Sequence, residues 1–203
     1  ETARRIARSP PSPDGATIAY VSEAPGWTEI HLVSRDGGDA HQLTHANADF
    51  SALDWHASGG HLLAVRTRHG SSDLVTVDIG SGEVTLLAGG GEWTTPQWAG
   101  DSAVSVHEDH RTPPRLVRVD LDGTVTRLTA PPPASVAVAP HIGFEEVRYH
   151  SIDGLEVHGF LFRPQAADDG PVPAVVYPHG GPTSAYGDSW DGHAQYFLDK
   201  GYA

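Results

Sequence analysis

Cysteine and methionine are both missing from this 203-residue chain. Without cysteine, disulfides and thiolate metal sites are excluded. Without methionine, Glu1 does not read as a native start, and the closing Lys200-Gly201-Tyr202-Ala203 reads as the approach to a further strand. Both ends are therefore expected to be cut from a longer protein. No apolar run approaches the ~20 residues that span a bilayer. Nothing resembles a signal peptide, and the expected compartment is cytoplasmic. Positive charge is also scarce, with 13 Lys and Arg against 26 Asp and Glu and a formal net charge of -13. Nucleic acids and anionic membranes need clustered cations, so neither is expected as a partner.

What is present begins with a repeat. Ser12-Pro13-Asp14-Gly15 is a turn that leads into the alternating run Ala16 to Val21. Glu29-Ile30-His31-Leu32-Val33, the turn Asp36-Gly37-Gly38 and Ala40 to Thr44 follow. The same order returns in Leu53 to Val65, Asp73 to Asp78, the turn Gly80-Ser81-Gly82 and Val84 to Leu87. A third copy runs through Pro96 to Val106, Arg115 to Asp120, the turn Asp122-Gly123 and Val125 to Thr129. The matching valines Val33, Val77 and Val119 are 44 and then 42 residues apart. A period of about 40–45 residues with four short strands per unit is the spacing of a β-propeller blade. Three blades cannot close a ring, since propellers take about 4–8. An ordinary antiparallel sandwich is the alternative for this stretch.

Composition changes at Pro131-Pro132-Pro133-Ala134, a stiff linker that cannot continue a sheet. Glu145 to Ser151 and Leu155 to Phe162 alternate around Asp153-Gly154, which predicts a hairpin. A loop from Arg163 to Pro173 then enters Ala174-Val175-Val176-Tyr177, a short apolar run that reads as a buried strand. Asp191 to Gly201 places Ala194, Phe197 and Leu198 at helical spacing, with Gly201 as the stop.

The run 174–177 ends in His179-Gly180-Gly181-Pro182. Acyl hydrolases must hold the oxyanion that forms when a carbonyl is attacked, and glycines after a strand let backbone N–H groups reach that oxygen. In α/β-hydrolases one such donor comes from a loop of this kind and the other from the residue after the nucleophile. The candidate site is thus His179, Gly180 and Gly181, with the Gly181 and Gly180 N–H groups as donors and His179 bracing the loop through its ring. A buried, backbone-satisfied histidine is the structural alternative at 179. The Gly-x-Ser-x-Gly elbow that would carry a nucleophile is absent from the chain.

Taken together, these residues resemble the prolyl oligopeptidase family of serine peptidases, especially its acylaminoacyl-peptidase-like and dipeptidyl-peptidase-like members. The resemblance rests on the Ser12-Pro13-Asp14-Gly15 blades, on Glu146 to Gly154, on Tyr177 to Pro182 and on Gln195 to Ala203, and it covers essentially the whole chain. It implies a partial β-propeller of about three four-stranded blades over residues 1–133. The N-terminal part of an α/β-hydrolase domain would follow over 134–203. The implied activity is hydrolysis of short peptides through an acyl-enzyme, with entry restricted by the propeller. Catalytic Ser, Asp and His would lie beyond residue 203, so the chain alone is expected to be inactive. No cofactor or metal is expected, short peptides are the expected partners, and homo-oligomerisation is left open.

Other residues invite competing readings. His107-Glu108-Asp109-His110 offers metal donors, but not in His-Glu-x-x-His order, and Pro113-Pro114 places them in a loop. Asp188, Asp191 and His193 beside Ser184 or Ser189 mimic a triad without the strained elbow that a nucleophile needs. Trp27, Trp55, Trp93 and Trp98 are read as packing residues of the blades, and the remaining histidines as solvated. A non-catalytic propeller binding module and an esterase are the alternatives to the peptidase.

Overall fold

The computed structural model describes residues 10–131, 142–164, 170–181 and 184–203. The expected linker from Pro132 onward, the domain boundary at 133/134 and Pro182 lie outside the described residues. Three antiparallel sheets follow one another along the chain. The first comprises β1 (Thr17–Ser22), β2 (Glu29–Ser34) and β3 (His41–Gln42). The second holds β4 (Asp49–Trp55), β5 (His61–Arg68), β6 (Ser71–Asp78) and β7 (Val84–Gly89). The third holds β8 (Glu92–Ala99), β9 (Ser102–Asp109), β10 (Thr112–Val119) and β11 (Val125–Arg127). In each sheet the strands pair in chain order, as in propeller blades, and none of the sheets closes on itself.

The first blade departs from the expected four strands. Among the described residues its remaining pairing is a single bridge between Pro11 and Ile18. Pro10 and Pro11 have no N–H to give to a ladder, so a full strand cannot form there.

The blades pack face to face through β5, whose run Leu62-Leu63-Ala64-Val65 is apolar at every position. Alternation sends Leu62 and Ala64 into one core with Ala19, Ile30, Leu32 and Phe50. Leu63 and Val65 enter a second core with Trp93, Ala103, Val117 and Val119. A strand covered on both faces needs no polar side, which explains the unbroken run.

Trp55 and Trp98 occupy matching places, opposite Leu62 and Ala103 at the ends of β4 and β8. Each follows by three residues a left-handed residue at a bulge, Ala52 (φ 54) and Thr95 (φ 50). Inter-blade bonds recur here as well. Trp55 Nε1 donates to the Pro10 carbonyl at 3.0 Å, and the Trp98 N–H donates to Asp54 Oδ2 at 2.7 Å. Trp55 and Trp93 are buried and Trp98 partly so, but Trp27 is exposed and fills no blade core.

After the blades come the expected hairpin, β12 (Phe144–His150) with β13 (Glu156–Phe162), and the expected helix, α1 (Gly192–Asp199). Asp191 caps the helix N-terminus by accepting from the His193 and Ala194 N–H groups. Gly201 ends it at φ 82, and its N–H reaches the Leu198 carbonyl at 3.0 Å.

Candidate functional site

Residues 174–177 carry no strand ladder. One parallel rung holds them, with the Val175 N–H on the Ala203 carbonyl (2.7 Å) and the Ala203 N–H on the Pro173 carbonyl (2.8 Å). The expectation of a buried strand is corrected here, because Val176 is 88% exposed and Tyr177 69%. An apolar run is buried only where neighbours cover both its faces, and among the described residues none covers these. The turn that follows is equally open, and His179, Gly180 and Gly181 are all exposed. His179 Nδ1 lies 2.9 Å from the Gly180 carbonyl, to which it donates. Gly180 has no neighbouring atom in the space a side chain would fill. Gly181 adopts φ 145, a value that side-chain-bearing residues rarely take.

Tyr186 is the ring against which this turn rests, at 5.7 Å from the Tyr177 ring and 6.3 Å from that of His179. Burial raises its phenol above the ordinary tyrosine value, and the Tyr177 hydroxyl adds to the shift. Beyond Tyr186 the chain is gripped by two hairpin turns of the blades. From the β5–β6 turn, the Gly70 carbonyl accepts the Asp188 N–H at 2.7 Å. Gly70 sits at φ 75, and a Cβ there would stand 2.9 Å from Phe160 Cζ and 3.2 Å from the Tyr186 carbonyl. Only glycine permits so close an approach in that conformation.

At the β9–β10 turn, Asp188 Oδ1 accepts from the His110 N–H (3.0 Å) and from His110 Nδ1 (2.6 Å). Arg111 Nε lies 3.3 Å from the other ring nitrogen of His110. The Phe144 ring lies tilted against His110 at 4.3 Å and against Phe160 at 4.3 Å, which packs the β12–β13 hairpin into the same corner. The Trp190 N–H donates to Glu108 Oε2 at 3.2 Å. Burial raises the Glu108 carboxyl above its usual range, while the Trp190 N–H works against the shift.

The competing sequence readings resolve in this corner. His107 to Asp109 lie on β9 and not in a loop, and Pro113 and Pro114 fall at a register irregularity of β10, where a missing N–H is tolerated. His107 is buried, with its ring 4.1 Å from Trp93 and Nε2 donating to the Gly90 carbonyl at 3.0 Å. Its Nδ1 meets no donor among the described residues, and burial pulls its pKa below the ordinary 6.5. Among the described residues no three His, Asp or Glu side chains converge as metal donors. Asp188 is committed to His110 and Asp191 to the helix cap, so neither serves a triad with His193. The sequence reading missed Tyr186 beside the turn and the contact between His110 and Asp188. Asp188 and His110 are 78 residues apart, and no local pattern signals a contact at that separation.

No family profile and no curated protein matches the chain. Solved structures do. A puromycin hydrolase is similar over the whole chain at 27% identity and TM-score 0.80, the match taking in 33% of that protein. A puromycin-hydrolysing peptidase of Mycobacterium tuberculosis matches over the whole chain at 24% identity and TM-score 0.81, across 34% of its length. The resemblance is to the prolyl oligopeptidase family. Dipeptidyl peptidase 4 of Porphyromonas gingivalis, of the same family, matches over 92% of the chain at 20% identity and TM-score 0.75, across 28% of its length. The chain thus spans about a third of the length of these family peptidases, and its blades correspond to their propeller portion.

Proposed function

We propose that the chain is part of a serine peptidase that hydrolyses short peptides through an acyl-enzyme. In this reading residues 1–133 belong to its propeller and 134–203 open its α/β-hydrolase domain. The observation that carries the reading is a His179-Gly180-Gly181 turn resting on Tyr186, two residues before the Asp188 that two propeller hairpin turns hold, in a chain similar throughout its length to family peptidases. The parallel rung between 173–175 and 203, with α1 as the crossover, adds support, since parallel pairing needs such a connection.

In the proposed mechanism the nucleophilic serine, its histidine base and the orienting aspartate come from elsewhere in the protein. This chain contributes the Gly181 N–H, with that of Gly180 beside it, to the tetrahedral oxyanion. The Nδ1–H bond from His179 to the Gly180 carbonyl orients the peptide plane between the two glycines. Those donors act on charge that exists only after attack, so they lower the barrier more than they aid substrate binding. The propeller narrows the approach to the site and selects short peptides.

The experiment is Gly181→Val in a protein that includes the serine elbow, assayed on a short chromogenic peptide with folding checked in parallel. Loss of one oxyanion donor costs about 10²–10³ in kcat, roughly 3–4 kcal/mol, with KM changed less. A folded variant with near-normal kcat would place the donor elsewhere. A fluorophosphonate probe should leave the 203-residue chain unlabelled, and specific labelling would contradict the assignment of the nucleophile to another segment.

A further inference from the structure

We propose that His110 and Asp188 are positioning residues: together they let the propeller hold the His179–Gly181 turn in place. The inference rests on the oxyanion reading of that turn and adds the element that fixes it.

The turn has little support of its own. Its residues are exposed, and the run before it is pinned by one rung to Ala203. Its side contact is Tyr186, through the rings of Tyr177 and His179. Tyr186 stands two residues from Asp188, and Asp188 is the most firmly held residue of the segment. It gives its N–H to the Gly70 carbonyl and takes two N–H groups of His110 on one carboxylate oxygen. The Trp190 N–H on Glu108 secures the chain two residues further on. His110 is itself immobilised, with Phe144 against its ring and Arg111 on its second nitrogen. The half-buried His110–Asp188 contact is shielded from solvent competition, and bonds to a charged acceptor are the strong ones. The order of support therefore runs from the β9–β10 turn to Asp188, to Tyr186, and then to the rings of the candidate oxyanion turn.

Asparagine places an N–H donor close to where histidine has Nδ1, whereas leucine fills the space without one, and this separates positioning from packing. In the 203-residue chain, backbone order parameters of Gly180 and Gly181 should be near 0.85 and fall below about 0.6 in Asp188→Ala and His110→Leu. His110→Asn should restore them. Amide signals of Leu62 to Val65 report in parallel that the blades remain folded. In a protein that includes the serine elbow, Asp188→Ala and His110→Leu should lower kcat by about 10–100-fold with KM within about twofold, as expected when a reacting group is misplaced by about 1 Å. His110→Asn should recover most of that loss. Order parameters unchanged in both variants overturn the proposal, as does a loosened 186–190 segment beside an unaltered turn. A loosened turn with kcat unchanged overturns the oxyanion reading and leaves the clamp standing.

Discussion

Two short apolar runs of this chain look alike in sequence and end in opposite surroundings. Leu62-Leu63-Ala64-Val65 lies in β5 with a blade against each face, and every residue of it is buried. Ala174-Val175-Val176-Tyr177 has one backbone rung and stands in solvent. An unbroken apolar run states a need for cover on two sides, and it does not say which part of the chain supplies it. For β5 both covers lie within about 55 residues, one blade before and one after. For 174–177 no cover is found among the described residues.

Breaking the covered run should have the largest effect. Leu63→Ala removes a fully buried side chain from the second core and should lower unfolding free energy by about 2–5 kcal/mol, read from urea denaturation. A loss under 1 kcal/mol would mean that the two blades are not packed as described. A smaller effect should come from pH. Burial holds the His107 pKa below the ordinary 6.5, so the unfolded chain binds a proton that the folded chain refuses. Stability should accordingly fall as pH drops below 6.5 towards the lowered value, by at most about 1.4 kcal/mol per pH unit. His107→Gln should flatten that stretch of the profile, and an unchanged slope would assign the pH effect to other groups. The smallest effect should be at the uncovered run. Val176→Ser should alter the stability of the 203-residue chain by no more than about 0.5 kcal/mol. A large loss would reveal a cover over 174–177.

Much of the fold was legible because turns punctuate it. Ser12 to Gly15, Gly80 to Gly82, Asp122-Gly123 and Asp153-Gly154 mark strand ends through glycine conformation and aspartate side-chain bonds, and the strands between them alternate cleanly. The helix was legible from both ends, through Asp191 and Gly201. Periodicity failed where something other than pattern decided. Proline chemistry reduced the first strand of the first blade to one bridge, and a bulge absorbed Pro113-Pro114 inside β10. At the candidate site the His179-Gly180-Gly181 turn was visible as a motif, but its setting was not. The Tyr186 ring beside it follows from no motif, and the His110–Asp188 contact joins chain segments that only the tertiary fold brings together.

The two-faced strand has a consequence during synthesis. β5 leaves the ribosome with the first blade already made, so Leu62 and Ala64 can dock as soon as the strand pairs. Leu63, Val65 and Leu74 must wait for Trp93, Ala103, Val117 and Val119, a set completed at ~5–20 residues per second roughly 3–11 s after Val65. During that interval the nascent chain presents the apolar face of Leu63, Val65 and Leu74 with nothing yet made to cover it, the kind of surface that recruits other nascent chains or a chaperone. Codon changes that slow translation between Gly90 and Val119 should therefore reduce soluble yield without altering a single residue of the folded protein.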